Sequence, residues 1–400
     1  MADSCEDSEG EELELIRPGL IRELRNVLDE YPDDGQILKE MIQNAEDAGA
    51  SCVKILADHR VFHRDVDAKI IKKHPPLKFL QGPALCVYNN EQFTKNDWKG
   101  IRMLHTSVKE KDPLKVGRFG LGFKSVFHLT DRPVIISGEF ILYMDPFKSA
   151  DRYCSRKRLA LLKGRELESI THCLDAVFLS GSPQSLDTVF HPQSGFSGTL
   201  FWFPLRQQKS DLSDTLYTED SLKDLLQAFK TEASSTLIFL KNLERIELFI
   251  RDDEGTKPVF TVELSKECVS AVRADRSAFK TSIREAVEDL PLAPVCCRSE
   301  IEVVMSDLDP RSQSQHQERW LVVNYHAGRE QASDQLLKLC GDPNLCYQPY
   351  VGGSHASRRP AKLSKSPLLF PAVTPGDKKS HGTACTRQRL LCFEPEPPPY

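Results

Sequence analysis

The sequence lacks the cysteine patterns that mark a metal site or a disulfide scaffold. None of its 12 cysteines forms a Cys-x-x-Cys pair. Cys296 and Cys297 are adjacent, whereas Cys340 and Cys346 stand six apart with no partnering histidine spacing. Structural zinc sites use regular Cys and His spacings, and disulfide scaffolds belong to small secreted domains. We therefore expect reduced, mostly packed thiols in a cytoplasmic protein without structural zinc.

The chain also lacks a long apolar run, a basic excess and a repeat of fixed period. The first absence predicts that the chain has no membrane span, since a spanning helix needs roughly 20 apolar residues. The N-terminal residues are acidic, unlike a secretory signal, which begins with basic residues. The net charge of −5 gives no reason to expect a nucleic-acid partner.

The apolar content is sufficient for several hydrophobic cores. Hydrophobic residues make up 40% and charged residues 28% of the 400 positions, which predicts two or three globular domains. A polar stretch that follows Arg206 marks a boundary between two of them. The predicted division is an acidic disordered tail over 1–14, a first domain over 15–206, a smaller α+β domain over 207–350 and a basic Ser/Pro-rich tail over 351–400.

One helix carries a line of three polar side chains. Apolar residues within 38–45 recur at i, i+3, i+4 and i+7 and form the opposite face. The polar line consists of Glu40, Asn44 and Asp47, and it contains no Lys or Arg, which a solvent-exposed face normally includes. Asn is a poor helix former, so Asn44 indicates a task such as offering an oxygen to a metal. A solvated outer face is the alternative interpretation.

A glycine-rich segment, Gly117-Arg118-Phe119-Gly120-Leu121-Gly122-Phe123, precedes a second helical pattern. Three glycines allow the backbone to bend tightly into a helix N-terminus, where amide N–H groups and the helix dipole favour an anion. A turn of this kind also occurs without a ligand, so both interpretations stay open. His128, which follows the turn, is interpreted as a packed or capping residue.

The order of the predicted elements indicates an α+β fold. Helix, helix, strand, strand, helix, glycine turn, helix, hairpin and final strand predict a two-layer α/β sandwich with a mixed sheet backing the helices. The first domain is predicted to have helices at 20–31, around Glu40, at 94–104 and at 156–167, strands at 52–57, 84–88 and 198–205, and a hairpin at 134–143. The second is predicted to have a helix at 222–243, a hairpin at 243–264, strands at 300–305 and 320–325, and a helix near Leu336.

These motifs resemble, in order and spacing, the nucleotide site of the GHKL ATPases. The resemblance rests on the Glu40–Asp47 line, the Gly117–Phe123 turn and Gly198-Thr199. The resemblance is closer to the sacsin-like proteins, and it rests on the amino-acid sequences of residues 36–50, 82–90 and 117–126. The resemblance is specific over roughly 16–206 and looser to about 350. It implies the two-layer sandwich of the GHKL (Bergerat) type.

The resemblance also implies a role for each matching residue. Glu40 matches the general base that orients the attacking water, and Asn44 matches the ligand of Mg²⁺. Asp47 matches a supporting carboxylate, and Thr199 matches a hydroxyl in the water network at adenine. The residues that match the phosphate-wrapping loop are Gly117, Gly120 and Gly122, with the amides of Phe119 and Phe123. Metal and backbone dipoles would neutralise phosphate charge while one carboxylate activates water.

One position departs from the family pattern. The family follows its second strand with Asp-x-Gly-x-Gly, whose Asp accepts a hydrogen bond from the adenine amino group. The corresponding run here is Asn89-Asn90-Glu91-Gln92-Phe93. Asn89 still offers a carbonyl oxygen but no charge, and both glycines are absent. Sacsin-like sequences share this departure.

The resemblance implies an ATP-binding module with a chaperone or co-chaperone role, which uses Mg²⁺ and hydrolyses ATP slowly if at all. Protein clients and chaperone partners, including Hsp70-type chaperones, are the expected partners. The alternative is a scaffold that keeps the fold and binds proteins without nucleotide turnover. In sacsin-like proteins the segment that is related to Leu390–Phe393 continues into a further part of the domain. We therefore also expect this chain to be a short or truncated form.

Overall fold

The structure is a computed structural model of the chain. The described residues are 19–30, 36–62, 69, 75–101, 122–148, 153–177, 186–288, 290–309, 312–340 and 350–357. The predicted acidic tail, the glycine turn as far as residue 121, and the chain from 358 onward lie outside them.

One mixed sheet of twelve strands runs through the described chain. The strands are β1 (Cys52–Asp58), β2 (Ala84–Asn89), β3 (Val134–Gly138), β4 (Phe140–Met144), β5 (Cys154–Arg158), β6 (Phe190–His191), β7 (Gly195–Pro204), β8 (Arg245–Asp252), β9 (Gly255–Leu264), β10 (Val295–Asp307), β11 (Ser314–His326) and β12 (Tyr350–Ser357). Their order is β12-β11-β10-β9-β8-β1-β2-β7-β3-β4-β5, with β6 paired to β7.

A parallel pair joins the two halves of the chain. β1 pairs with β8 in parallel, from Cys52 opposite Arg245 to Asp58 opposite Arg251, and the other neighbours are antiparallel. Residues on both sides of the predicted boundary at 206 therefore contribute to one sheet. β12 also extends into the segment assigned to the basic tail. The division of the chain into domains stays a prediction.

Helices cover both faces of this sheet. They are α1 (Leu20–Glu30), α2 (Gln36–Ala48), α3 (Lys95–Gly100), α4 (Gly164–Val177), α5 (Leu186–Val189), α6 (Glu219–Leu237), α7 (Val269–Glu288) and α8 (Asp334–Cys340), with 3-10 helices at Pro75–Phe79, Gly122–His128, Leu159–Leu161 and Arg329–Gln331. The larger core lies between the sheet and α1, α2, α6 and the 122–128 helix. A second core lies under α4 on the opposite face.

Local sequence explains the helix that carries the polar line. The predicted apolar stripe of α2 is buried, with Leu38, Met41, Ile42 and Ala45 at most 1% exposed. The helix ends where Gly49 takes a φ of +88°, a left-handed conformation that costs glycine little. The α+β class and the mixed sheet backed by helices are thus confirmed.

Two sequence-based assignments need correction. The charged region 156–167 was predicted to be helical, but its first residues form the sheet-edge strand β5, and the α-helix begins only at Gly164. The strand is favoured because the Arg156 guanidinium stacks 4.4 Å from the Phe140 ring centre on the neighbouring strand. The 20-residue helix α7 was not predicted at all.

The other chain-wide expectations concern the membrane and the cysteines. No helix in the described chain is both long enough and apolar enough to cross a bilayer. Eight cysteines lie in the described ranges, and all eight are free thiols.

Candidate functional site

Three buried polar side chains form a row across the neighbouring interior strands β2, β7 and β3. Asn89 on β2 lies opposite Thr199 on β7, and Thr199 lies opposite Ser137 on β3. All three are at most 3% exposed. Alternation along a strand places them on the face that α2 covers. The residues two positions away on the same face are Val87, Phe201 and Ile135, which pack in the same core as α2.

A directed chain of hydrogen bonds runs through this row. The Phe93 amide donates to Ser137 Oγ at 2.8 Å, and Thr199 Oγ1 donates to the Glu91 carbonyl at 2.7 Å. The Ser137 and Thr199 hydroxyl oxygens are 2.7 Å apart. Because the Thr199 proton is already used, Ser137 must be the donor in that bond. Both hydroxyl protons are therefore committed within the protein.

The two asparagines that replace the family motif have separate roles. Asn89 Oδ1 accepts from the Glu91 amide at 3.0 Å and closes the turn after β2. Asn90 Oδ1 accepts from the amides of Ser51 and Cys52, each at 3.0 Å, at the start of β1. Asn90 therefore ties the end of β2 to the turn that follows α2. Sequence reasoning attached no role to Asn90.

The polar line of α2 meets the end of the glycine turn. The Glu40 carboxylate lies so close to Gly122 that a Cβ at this glycine would overlap it. Glu40, Asn44 and Asp47 are all partly buried, and each takes part in further interactions. Glu40 and Gly122 therefore lie side by side, and the site roles of these residues stay predictions.

The other expected phosphate-loop residues divide into two groups. Gly117, Phe119 and Gly120 lie outside the described residues. Phe123 is 7% exposed, and its ring lies 5.9 Å from Phe201 in the core. Its side chain is therefore a packing group, and only its backbone amide remains available for the role that the resemblance implies.

Glu46 on α2 is a structural residue that sequence reasoning missed. Its carboxylate is 4% exposed and accepts from the backbone amides of Lys241, Asn242 and Leu243 at 2.6, 3.0 and 3.0 Å. Asn242 Nδ2 also donates to the Glu46 carbonyl at 3.0 Å. These bonds fasten the C-terminal turn of α2 to the α6–β8 connection, residues 238–244.

Arg276 on α7 holds the same connection from the other side. Its guanidinium donates to the carbonyls of Leu243 at 2.7 Å and Leu237 at 3.0 Å. Burial lowers the pKa of Arg276, and the negative charge of Glu46 opposes that shift. The one sequence feature that could have drawn attention to Glu46 is its place four residues after Ile42, between core positions of the helix.

Lys124, next to the glycine turn, is a buried cation. It is 1% exposed, and its Nζ donates to the Ile101 carbonyl at 3.0 Å. Desolvation by burial lowers the pKa of Lys124 to about 8 from 10.5. The folded protein therefore releases this proton at a lower pH than the unfolded chain does.

We expect Lys124→Met to change the pH dependence of stability. Between pH 8 and 10 the unfolded chain keeps the Lys124 proton and the folded protein loses it, so the free energy of unfolding rises with pH. Relative to the methionine variant, the wild type should gain about 2 to 3 kcal/mol between pH 7 and 10. Urea unfolding at a series of pH values measures this difference. Lys39→Met, at a half-exposed position, should show no such gain, and parallel curves for Lys124→Met would contradict the assignment.

Comparison with known proteins identifies the family. The sequence model of the Sacsin domain family matches residues 17–263. The chain belongs to the Sacsin domain family. The matched range includes the polar row, α2 and the α6–β8 connection. The predicted sacsin-like relationship is therefore confirmed.

One sequence relative and one solved structure resemble this chain to very different degrees. Human sacsin is 33% identical over 389 residues, which cover 95% of this chain and 8% of the human protein. The chain thus spans a small part of the length of that relative. A solved structure described as the N-terminal domain of a DNA repair protein matches with a TM-score of 0.30 and 9% identity, covering 78% of this chain and 71% of that one. That score is too low to support a conclusion about this chain.

Proposed function

We propose that this Sacsin domain chain is a cytoplasmic nucleotide-binding module that holds Mg²⁺-ATP between α2 and the turn ending at Phe123. The single observation that carries the proposal is the placement of the Glu40 carboxylate against Gly122. Any side chain at this position would overlap the Glu40 carboxylate, so only glycine lets that carboxylate lie against the turn. The polar row of Asn89, Thr199 and Ser137 lies on the same side of the sheet, and it would supply polar groups at one end of the proposed site.

The residues present fit a magnesium nucleotide. Within the described ranges no group of three or more His, Cys, Asp or Glu is arranged to hold a metal by itself. Nucleotide-bound Mg²⁺ needs only one or two protein oxygens, because phosphates and waters complete its octahedron. Asn44 would supply its amide oxygen, with Asp47 in support. The metal ion would neutralise charge on the phosphates, while Glu40 would accept a proton from water.

A chaperone or co-chaperone role, with protein clients and Hsp70-type chaperones as partners, is part of the same proposal. It is supported by membership of the family and by the likeness to human sacsin. The second candidate is a scaffold that binds proteins without nucleotide turnover. Asn89 favours this second candidate, since a neutral amide replaces the family carboxylate.

Calorimetric titration of the full chain with Mg²⁺-ATP and Mg²⁺-ADP separates the two candidates. We expect saturable binding of both nucleotides. Glu40→Ala should bind ATP within a few-fold of wild type and lose hydrolysis, because its carboxylate acts on water and does not hold the ligand. If the folded protein gives no binding with either nucleotide, the scaffold is the correct function.

A further inference from the structure

The strand β5 ends the sheet on one side and presents a backbone edge. Among the described residues it pairs with β4 alone. The Asp145 amide donates to the Tyr153 carbonyl at 2.7 Å, and the Leu159 amide donates to the Glu139 carbonyl at 2.8 Å. In an antiparallel pair such bonds occur at every second residue, and the residues between them point the other way. The residues whose backbone N–H and C=O groups point away from β4 are Cys154, Arg156 and Arg158.

Two arginines give this edge its charge, on the face of the sheet that α3 covers. The Arg156 guanidinium lies 4.4 Å from the ring centre of Phe140 and 5.5 Å from that of Trp98 on α3, and the Arg158 guanidinium lies 5.9 Å from Phe140. Neither side chain has an ion pair or a hydrogen bond with another described residue. Stacking on the aromatic rings orients each guanidinium, and the N–H groups at its rim are left to bind a carboxylate.

Apolar surface lies beside the two arginines. A cavity of about 240 Å³ is lined by Trp98, Leu142, Cys154 and Arg156. Leu161 follows the strand by three residues and is 72% exposed, more than any other large hydrophobic side chain in the described chain. The β5 edge therefore combines backbone groups that a further strand could pair with, two cations without a described acid partner, and apolar surface at both ends.

We propose that the β5 edge binds an acidic segment of a partner protein, which pairs with β5 as an additional antiparallel strand. Charge complementarity selects this occupant. A second copy of β5 would bring like charges together, whereas acidic side chains opposite Arg156 and Arg158 would form ion pairs. Backbone hydrogen bonds would supply affinity, and the side chains would supply specificity. The inference does not depend on nucleotide binding.

The register of an antiparallel pair gives the sequence pattern of the segment. Residues that lie opposite each other in such a pair share one face of the sheet. From its N-terminus to its C-terminus, the segment would carry one acid opposite Arg158, a second acid opposite Arg156 and an apolar residue opposite Cys154, beside the cavity. These three positions alternate with residues on the other face. A labelled peptide Gly-Glu-Thr-Glu-Thr-Leu-Gly has this pattern.

Fluorescence anisotropy of this peptide with the full chain, without nucleotide, tests the proposal. We expect saturable binding that weakens with added salt. The double variant Arg156→Glu/Arg158→Glu should weaken binding by at least about tenfold. The same peptide with lysine for both glutamates should bind the double variant more tightly than wild type, which a misfolded variant could not do. Arg165→Glu is the matched control, because Arg165 is an exposed arginine on α4, on the opposite face of the sheet.

Backbone methylation of the peptide separates strand pairing from simple charge attraction. The N–H groups of the two glutamates would face β5, and those of the two threonines would face away. N-methylation of the glutamates should weaken binding by at least about tenfold, and N-methylation of the threonines by less than about threefold. Equal losses would overturn the proposal, and so would the absence of saturable binding to the folded wild type.

Two other occupants of the edge are outcomes of the same experiments. Peptide binding that appears only after deletion of residues 1–14 would make the acidic segment of this chain the occupant. Dimerisation of the wild type that Arg156→Glu/Arg158→Glu abolishes would make a second copy the occupant. Sedimentation of both proteins measures the second outcome. Either result would overturn the assignment to a partner protein and leave the nucleotide proposal untouched.

Discussion

Gly122→Ala should leave the chain folded and lower ATP turnover by about 100-fold or more. The added Cβ would occupy the position of the Glu40 carboxylate. That carboxylate ends a flexible side chain, so it can rotate away from the added Cβ. The backbone at Gly122 lies outside the left-handed region, and alanine therefore adds no backbone strain. The proposed general base would be displaced although Glu40 itself remains in the chain.

A double-mutant cycle with Glu40→Ala checks this mechanism. If Gly122→Ala acts by displacing Glu40, turnover in the double variant should equal that of Glu40→Ala alone. Gly353→Ala is the control, since a Cβ there meets no atom within 4 Å. Multiplicative losses in the double variant would show that Gly122 acts independently of Glu40. Turnover near wild type in Gly122→Ala would remove Glu40 from the catalytic role.

Glu46→Ala should lower the free energy of unfolding by about 3 to 4 kcal/mol. The change leaves the buried amide of Leu243 and the partly buried amides of Lys241 and Asn242 without their acceptor. It also leaves Arg276 without the nearby negative charge that opposes the effect of its burial. Since the connection 238–244 leads directly into β8, its loosening should weaken the parallel β1–β8 pair that joins the two halves of the sheet.

Urea unfolding of three variants measures this effect. Glu232→Ala makes the same substitution on α6, where the carboxylate is 42% exposed and pairs with Lys39, and should cost at most about 1 kcal/mol. Glu46→Gln keeps one acceptor oxygen but turns an N–H₂ group toward the amides, so its stability should lie between the other two. A value for Glu46→Ala as small as that for Glu232→Ala would mean that water replaces the carboxylate without penalty.

The local sequence pattern was sufficient to predict the helices and hairpins that depend on residues close together in the chain. The apolar and polar faces of α2 follow from spacing within one helix, and Gly49 ends it as expected. The hairpins β3–β4 and β8–β9 follow from alternating strands around short turns. β5 was predicted as helix but forms a strand. Its basic sequence has no helix preference strong enough to outweigh pairing with β4.

Contacts between distant segments determined the features that could not be predicted from the sequence. α7 was missed because Arg276 interrupts the apolar stripe of this helix. In the fold the Arg276 guanidinium is buried and donates to the Leu237 and Leu243 carbonyls, which explains a charged residue at that position. Likewise, nothing local shows that Glu46 would bind amides almost 200 positions away.

The sequence by itself determined the family, the α+β class and the residues of the polar line, because these depend on residue type and short spacing. Only the tertiary structure placed Asn89, Ser137 and Thr199 in one row and oriented their protons. Sheet register and hydrogen-bond direction are set by pairings between distant segments. The hydrogen-bond chain from Ser137 through Thr199 to the Glu91 carbonyl therefore emerged from the fold.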